Sequence, residues 1–170
     1  MVENFDVFTE QSQLIARRAY EIALQHRHST IDESHMLLAL LESTDDVLTK
    51  LFEVMSLDIQ QLKNETYMVM KRQRKVAFWK GQNYQFFATP TIKGLIEDSV
   101  SISKKLGQEK VSSAHVFAGL VNVSLKNHQA ENGSNVAQIL INSKITARKV
   151  LEDLKMIDTK SKDNKKAQKT

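Results

Sequence analysis

The feature that most constrains this chain is an internal duplication. Thr9 and His35 stand 26 positions apart, and so do Thr89 and His115. An offset of 80 superposes the two copies and pairs Ile15 with Leu95, Ile22 with Ile102, Ile31 with Val111 and Leu40 with Leu120. Ala19 and Ala23 meet Ser99 and Ser103, so positions that are small in one copy are small in the other. Self-similarity at a fixed period means that one supersecondary unit has been repeated, and a unit that cannot cover its own apolar face packs against its twin. Further on, the second copy carries an insertion of about nine residues near Val123 to Ser134, after which Val47–Leu62 aligns with Val136–Leu151. The insertion is rich in Asn and Lys, contains Gly133, and reads as a surface loop.

The repeated unit is helical. In the first copy Leu14, Ile15, Ala19, Ile22 and Ala23 recur at helical spacing behind a Thr9 N-cap. Asp32 can cap a second helix through Met36, Leu37, Leu40 and Leu41. A short helix around Val47–Met55 follows, then one capped by Asp58 that runs through Leu62 to Val69. In the second copy Thr89 caps a helix with Pro90 at its first position, where the missing N–H costs nothing, and Gly107 supplies a left-handed stop after Leu106. Ser112 or Ser113 caps the next, and later helices cover about 135–141 and 146–154. The expected fold is all-α, an eight-helix bundle of two four-helix repeats about a pseudo-twofold axis. Repeat one occupies about 5–70, a linker 71–87, repeat two about 88–154, and a Lys-rich tail 155–170 is expected to be disordered.

Composition narrows the function. Cys is absent, which removes disulfides, thiolate metal sites and cysteine nucleophiles. The five Gly are scattered, no G-x-x-x-x-G-K-[ST] occurs, and G-x-S-x-G, H-E-x-x-H and EF-hand patterns are missing. The reading is therefore non-enzymatic, with no catalytic residue, cofactor or metal assigned. His26, His28 and His35 invite a metal, but His26 and His28 are two apart and do not share a helical face. His35, repeated as His115, reads as a structural hydrogen-bonder. No basic, apolar leader and no apolar run of membrane-spanning length occurs in the sequence, and a cytoplasmic location is expected.

The net charge of +4 is localised. Six Lys and two Asp between Lys155 and Thr170 account for all of it, so the body is near neutral. The linker holds Lys71, Arg72, Arg74, Lys75 and Lys80 around Phe78 and Trp79. Basic residues interleaved with aromatics can hold single-stranded nucleic acid by phosphate contact and stacking. The favoured reading is that Phe78 and Trp79 pack the linker onto the body or offer a patch to a protein partner. A nucleic-acid-associated helical protein using linker and tail is the alternative function; nucleic acid and membrane are not the expected partners.

The run Phe8-Thr9-Glu10, followed by Ala19, Ala23, Ile31, His35 and Met36–Leu41 (MLLALL), resembles the N-terminal domain of Clp-type AAA+ unfoldases of the ClpC and ClpA kind. Thr89-Pro90 through Val111 and His115 to Val121 is similar to that family's second repeat, and the resemblance covers about residues 5–154. It implies a pseudo-symmetric, non-catalytic protein-binding module. Such a module recruits substrates or adaptors to a Clp-type chaperone or protease, or regulates it, and its partners are Clp components, adaptors and unfolded or marked proteins. The ATPase module of the family is not found in this sequence. ClpC-like members bind phosphoarginine through a Glu in each repeat together with the Thr that matches Thr9 and Thr89. The Glu positions fall here on Ser34 and Ala114, with Glu33 adjacent, so phosphoarginine is not assigned. Thr9, Glu33, Ser34, Thr89, Ala114, Phe78 and Trp79 are the candidate binding residues.

Overall fold

The computed structural model describes residues 5–73, 75, 87–128 and 135–168. After a 3-10 turn at Phe5–Val7, the first repeat runs α1 (Glu10–Gln25), β1 (Thr30–Ile31), α2 (Glu33–Glu42), α3 (Asp46–Val54) and α4 (Ile59–Lys71). The second runs β2 (Phe87–Ala88), α5 (Pro90–Lys105), α6 (Ser113–Lys126), α7 (Ala137–Asn142) and α8 (Ala147–Gln168). The described residues thus form an all-α protein of eight helices in two fourfold repeats.

Local chemistry sets the helix ends. Ser12 N–H donates to Thr9 Oγ1 at 3.2 Å and Ile92 N–H to Thr89 Oγ1 at 3.3 Å, so both threonines are N-caps. Each leading helix closes with a Schellman turn. His28 N–H bonds Ala23 O and Gln108 N–H bonds Ser103 O, each at 2.9 Å, around Arg27 and Gly107 in the left-handed region. A second pair of such turns ends α3 and α7, with Ser56 and Lys144 at positive φ. Leu57 N–H to Phe52 O is matched there by Ile145 N–H to Leu140 O. These turns register the back halves of the repeats at an offset of 88, so the insertion is eight residues and not nine. Leu48, Leu51 and Phe52 therefore match Val136, Ile139 and Leu140, all of them buried.

The repeats are interleaved. Thr89 N–H donates to Ile31 O at 3.2 Å, and Thr9 N–H donates to Val111 O at 3.0 Å. The β1–β2 pairing of Ile31 with Ala88 is thus the mate of the Phe8–Val111 bridge, because Phe8 is equivalent to Ala88 and Ile31 to Val111. Helix packing crosses over in the same way: α3 lies on α8, and its counterpart α7 lies on α4. At the centre α2 and α6 touch. Both are buried nearly all round, as MLLALL and VFAGLV require of helices with no polar face. Phe117 meets Phe52 edge to face at 5.1 Å, joining α6 to α3 across the repeat boundary. Gly119 lets α6 approach α5, since a Cβ there would lie 2.9 Å from Leu95 O.

The last helix runs past Leu154, its backbone continuing to Gln168. The segment from Thr146 onward has neither Gly nor Pro, and Lys, Gln and Ala are good helix formers.

Candidate functional site

The interleaving decides which candidate residues meet. Thr9 of the first repeat does not face Ser34 of its own copy. Through Val111 it borders the N-terminus of α6, and Ser12 Oγ reinforces this by donating to Val111 O at 2.9 Å. Thr89 borders the N-terminus of α2 through Ile31. There are therefore two composite sites, each made by a threonine cap from one repeat and a helix start from the other.

At the α6 site an open cleft of about 470 Å³ is lined by Thr9, Val47, Gly107, Gln108, Glu109, Lys110, Ser112 and His115. Ser112 N–H donates to His115 Nδ1 at 2.9 Å, while His115 N–H returns to Ser112 Oγ at 3.4 Å. This is a capping box in which His stands where Glu or Gln is usual. Ser113 Oγ donates to the Asp45 carboxylate, which brings the cap of α3 onto the start of α6.

The α2 site has the same box with different surroundings. Asp32 N–H donates to His35 Nδ1 at 3.0 Å, and Asp32 Oδ1 accepts from Ser34 N–H at 2.9 Å and from Ser34 Oγ at 2.6 Å. Asp32 Oδ2 accepts from Gln73 Nε2 at 2.8 Å and from Asn135 Nδ2 at 3.0 Å. Because His35 Nδ1 is an acceptor, its proton sits on Nε2, which donates to His28 Nδ1 at 2.8 Å. His28 Nε2 is then buried with no hydrogen bond of normal geometry; the Met70 backbone compensates it only in part. Burial pushes the His35 ring down to about 4, against the pull of Asp32 and with the help of His28 and His26. Burial lowers His28 as well, again opposed by Asp32. Both rings are neutral at physiological pH. Among the described residues no group of three or more His, Cys, Asp or Glu is arranged to hold a metal.

A third feature lies on the pseudo-twofold axis. Phe8, Ser12, Gln13, Ala16, Met36, Leu95, Ile96 and Val116 line a crevice of about 50 Å³ between α1 and α5. Ala16 is the mate of Ile96, and Met36 of Val116, so two equivalent pairs face each other across it, whereas Phe8, Ser12, Gln13 and Leu95 have no mate in the lining. Nothing in the spacing of either copy alone points to this crevice. The offset of 80 applied to Ala16 and Met36 does, once the two repeats are known to face each other.

Of the candidate residues, Thr9 and Thr89 are half-buried caps. Glu33, Ser34 and Ala114 are buried in the first turns of α2 and α6. Phe78 and Trp79 lie outside the described residues. Sequence reading missed Gln73 and Asn135, which carry only the ordinary signature of polar loop residues, and it took Asp32 for no more than a cap. No helix among the described residues is long and apolar enough to cross a membrane.

The family profile described as the Clp repeat (R) N-terminal domain matches residues 7–132. The chaperone protein ClpB of Clostridium perfringens is 28% identical over 143 residues, which is 84% of this chain and 16% of that protein. The chain thus spans well under a fifth of the length of that relative. The N-domain of ClpV from Vibrio cholerae superposes with a TM-score of 0.68 at 18% identity, over 89% of this chain and 85% of that one. A ClpV N-domain in complex with a VipB peptide superposes with a TM-score of 0.53 at 14% identity, over 87% and 89%. These structures share the fold, and the profile covers most of the chain, so the chain belongs to the Clp repeat N-terminal domain family.

Proposed function

We propose that this domain is a cytoplasmic, non-catalytic protein-binding module that recruits clients or adaptors to a Clp-type chaperone or protease, or regulates it. The observation that carries the reading is the apolar crevice on the pseudo-twofold axis, walled by Ala16, Met36, Leu95, Ile96 and Val116. Its lining is hydrocarbon with Ser12 and Gln13 at one side, which suits one anchoring apolar side chain of a bound segment. On the same side of α1, four and eight residues beyond Ala16, Tyr20 (42% exposed) and Leu24 add exposed apolar surface. The peptide complex of the ClpV N-domain supports the same kind of use for this fold.

The test is an anisotropy titration with fluorescein-labelled, reduced and carboxymethylated α-lactalbumin as a permanently unfolded probe. Binding by the wild-type chain is expected, with at least about tenfold weakening by Ile96→Glu, which places a carboxylate against hydrocarbon at the half-exposed rim. Thermal unfolding confirms that the variant is folded. Binding of the probe by folded Ile96→Glu at wild-type strength removes the crevice from the mechanism. Absence of binding by the wild type, to this probe and to casein, removes the client-binding reading.

A further inference from the structure

The second repeat fills a place that the first leaves open. Helix α2 ends at Glu42, whose equivalent is Asn122, but α6 runs four residues further, to Lys126. Four residues make about one more turn. That turn is packed: Val123 is buried, and so is Ser124. Val123 lies so close to α5 that a Cβ at Gly94 would stand 3.3 Å from its Cγ2. Beside it Asn122 Nδ2 donates to Asp98 at 2.8 Å.

At the end of α2 the chain turns away instead. Ser43 is extended, and its Oγ accepts from Asp45 N–H at 3.2 Å. Ser43 stands where the second copy has Val123, and Leu14 where it has Gly94. Two open clefts flank Ser43. One, of about 280 Å³, runs over Leu14, Ile15 and Ala39; the other, of about 340 Å³, runs over Leu41, Phe52 and Leu57. Leu14 is 52% exposed, and Leu57 is half-buried where its mate Ile145 is buried. Neither cleft shares a lining residue with the axis crevice or with the cleft beside Thr9.

The border of this notch is acidic. Glu42, Asp45, Asp46 and Glu53 stand where the second copy has Asn122, Gly133, Ser134 and Ile141. Glu42 is held by Arg18 at 2.9 Å and Asp45 accepts from Ser113 Oγ, while Asp46 and Glu53 are exposed, with Lys50 between them in α3. The carbonyl end of α2 adds partial negative charge and has no further turn to donate to it.

We propose that the notch at the end of α2 docks a helical segment of a partner protein that carries Lys or Arg along one flank and a small residue, Ala or Gly, against Leu14. The second copy shows the shape of the occupant, because there the chain's own helical turn takes the place. Leu14 for Gly94 exchanges knob and hole, so the partner must supply the hole. The carboxylates select a cationic flank. The proposal rests on the protein-binding reading only for the class of its partner, since its surface is separate from the crevice.

The probe is a fluorescein-labelled, lactam-stapled helix of Ala, Leu and Lys with Ala at its centre and Lys along one flank. A second probe has Glu for Lys, and a third has Gln for Leu and for the central Ala. In anisotropy titrations of the full chain, the Lys probe is expected to bind at least about tenfold tighter than either of the others. Leu14→Gln, at an exposed helical position, should weaken it at least about fivefold. Asp46→Lys with Glu53→Lys should reverse the preference between the Lys and Glu probes. Glu53→Lys alone, in the last turn of α3 where a cation suits the helix dipole, should move it in the same direction. Ile96→Glu should bind the Lys probe as the wild type does. Thermal unfolding checks that each variant is folded.

A wild type that does not bind the Lys probe overturns the notch. So does equal binding of the Gln probe, which would be attraction by charge alone. A Lys preference unchanged in both charge-reversed variants, or a loss of binding in Ile96→Glu, moves the contact elsewhere. A dimer in sedimentation that Leu14→Gln dissolves would assign the notch to a second copy and overturn the partner. The unfolded α-lactalbumin titration reads the crevice independently, so failure of the notch leaves the protein-binding reading standing. Binding of the Lys probe without binding of α-lactalbumin or casein removes the crevice and keeps the notch.

Discussion

Mild acid should destabilise this domain through one buried ring. His35 has no solvent-exposed surface, and its Nδ1 is committed as the acceptor for Asp32 N–H. Protonation would set N–H against N–H at the start of α2 and place a charge in the core. Burial is the largest cause of the shift from 6.5 to about 4, with Asp32 opposing and the neighbouring histidines adding to it. In the unfolded chain the ring titrates near its ordinary value. Between the two values the unfolded state binds a proton that the folded state does not. Stability is therefore complete above about 6.5 and falls as pH drops toward 4. Integrated from pH 7 to pH 5, the loss from His35 alone is about 2 kcal/mol. His28 is lowered for the same reason and contributes with the same sign. His35→Gln keeps a side chain that can accept from the N-cap N–H but does not titrate. Urea unfolding at pH 5, 6 and 7 should show the wild type losing about 2 kcal/mol or more and the variant losing less than half as much. A His35→Gln variant with the wild-type pH slope would refute the assignment of the buried ring as the source.

Three further outcomes follow from the packing. Gly119→Ala should destabilise by about 1–3 kcal/mol, because its Cβ would meet Leu95 O and Ser99 N as well as the movable Ser99 Oγ; Ser99→Ala should restore only part of the loss in urea midpoint. Arg27→Gly should raise stability by about 0.5–1 kcal/mol, since Arg27 holds φ 56 at a Schellman turn whose counterpart is already Gly107; an unchanged or lowered melting temperature counts against strain there. Phe117→Ala should cost about 3–5 kcal/mol and still give one unfolding transition by both circular dichroism and calorimetry; two separated transitions would mean that the repeats are independent folding units.

What could be read in advance was whatever has a local chemical cause. Thr9, Asp32, Asp58, Thr89 and Ser112 each carry a side-chain oxygen before an apolar run, and all five are caps in the structure. Gly107 announced its stop, but its counterparts Arg27, Ser56 and Lys144 adopt the same conformation without glycine and left no signal. That absence also explains the slip in the insertion. Val47, Leu48, Leu51 and Phe52 fit the apolar residues after Val136 almost equally well at offsets of 88 and 89. Only the stops at Ser56 and Lys144 decide between them. The binding candidates were harder still. A threonine cap says where a helix begins and nothing about which other helix start lies across from it, and that pairing is set by strand exchange between Ile31, Ala88, Phe8 and Val111.

The exchange also bears on why a duplicated helical unit would become a binding module. A crevice on a pseudo-twofold axis needs both copies, because each wall is supplied by one of them. The composite sites likewise need both, one for the threonine and one for the helix start. Neither repeat can therefore lose its partner without losing the crevice and both composite sites. Substitutions that differ between the copies change one composite site at a time: Asp32 against Ser112, Asn135 against Val47, His28 against Gln108. They leave the axis crevice alone, since none of these residues lines it. Duplication with exchange thus lets the central crevice keep a wall from each copy while the flanking sites diverge, as Asp32 with its two carboxamide partners does from Ser112 with its cleft.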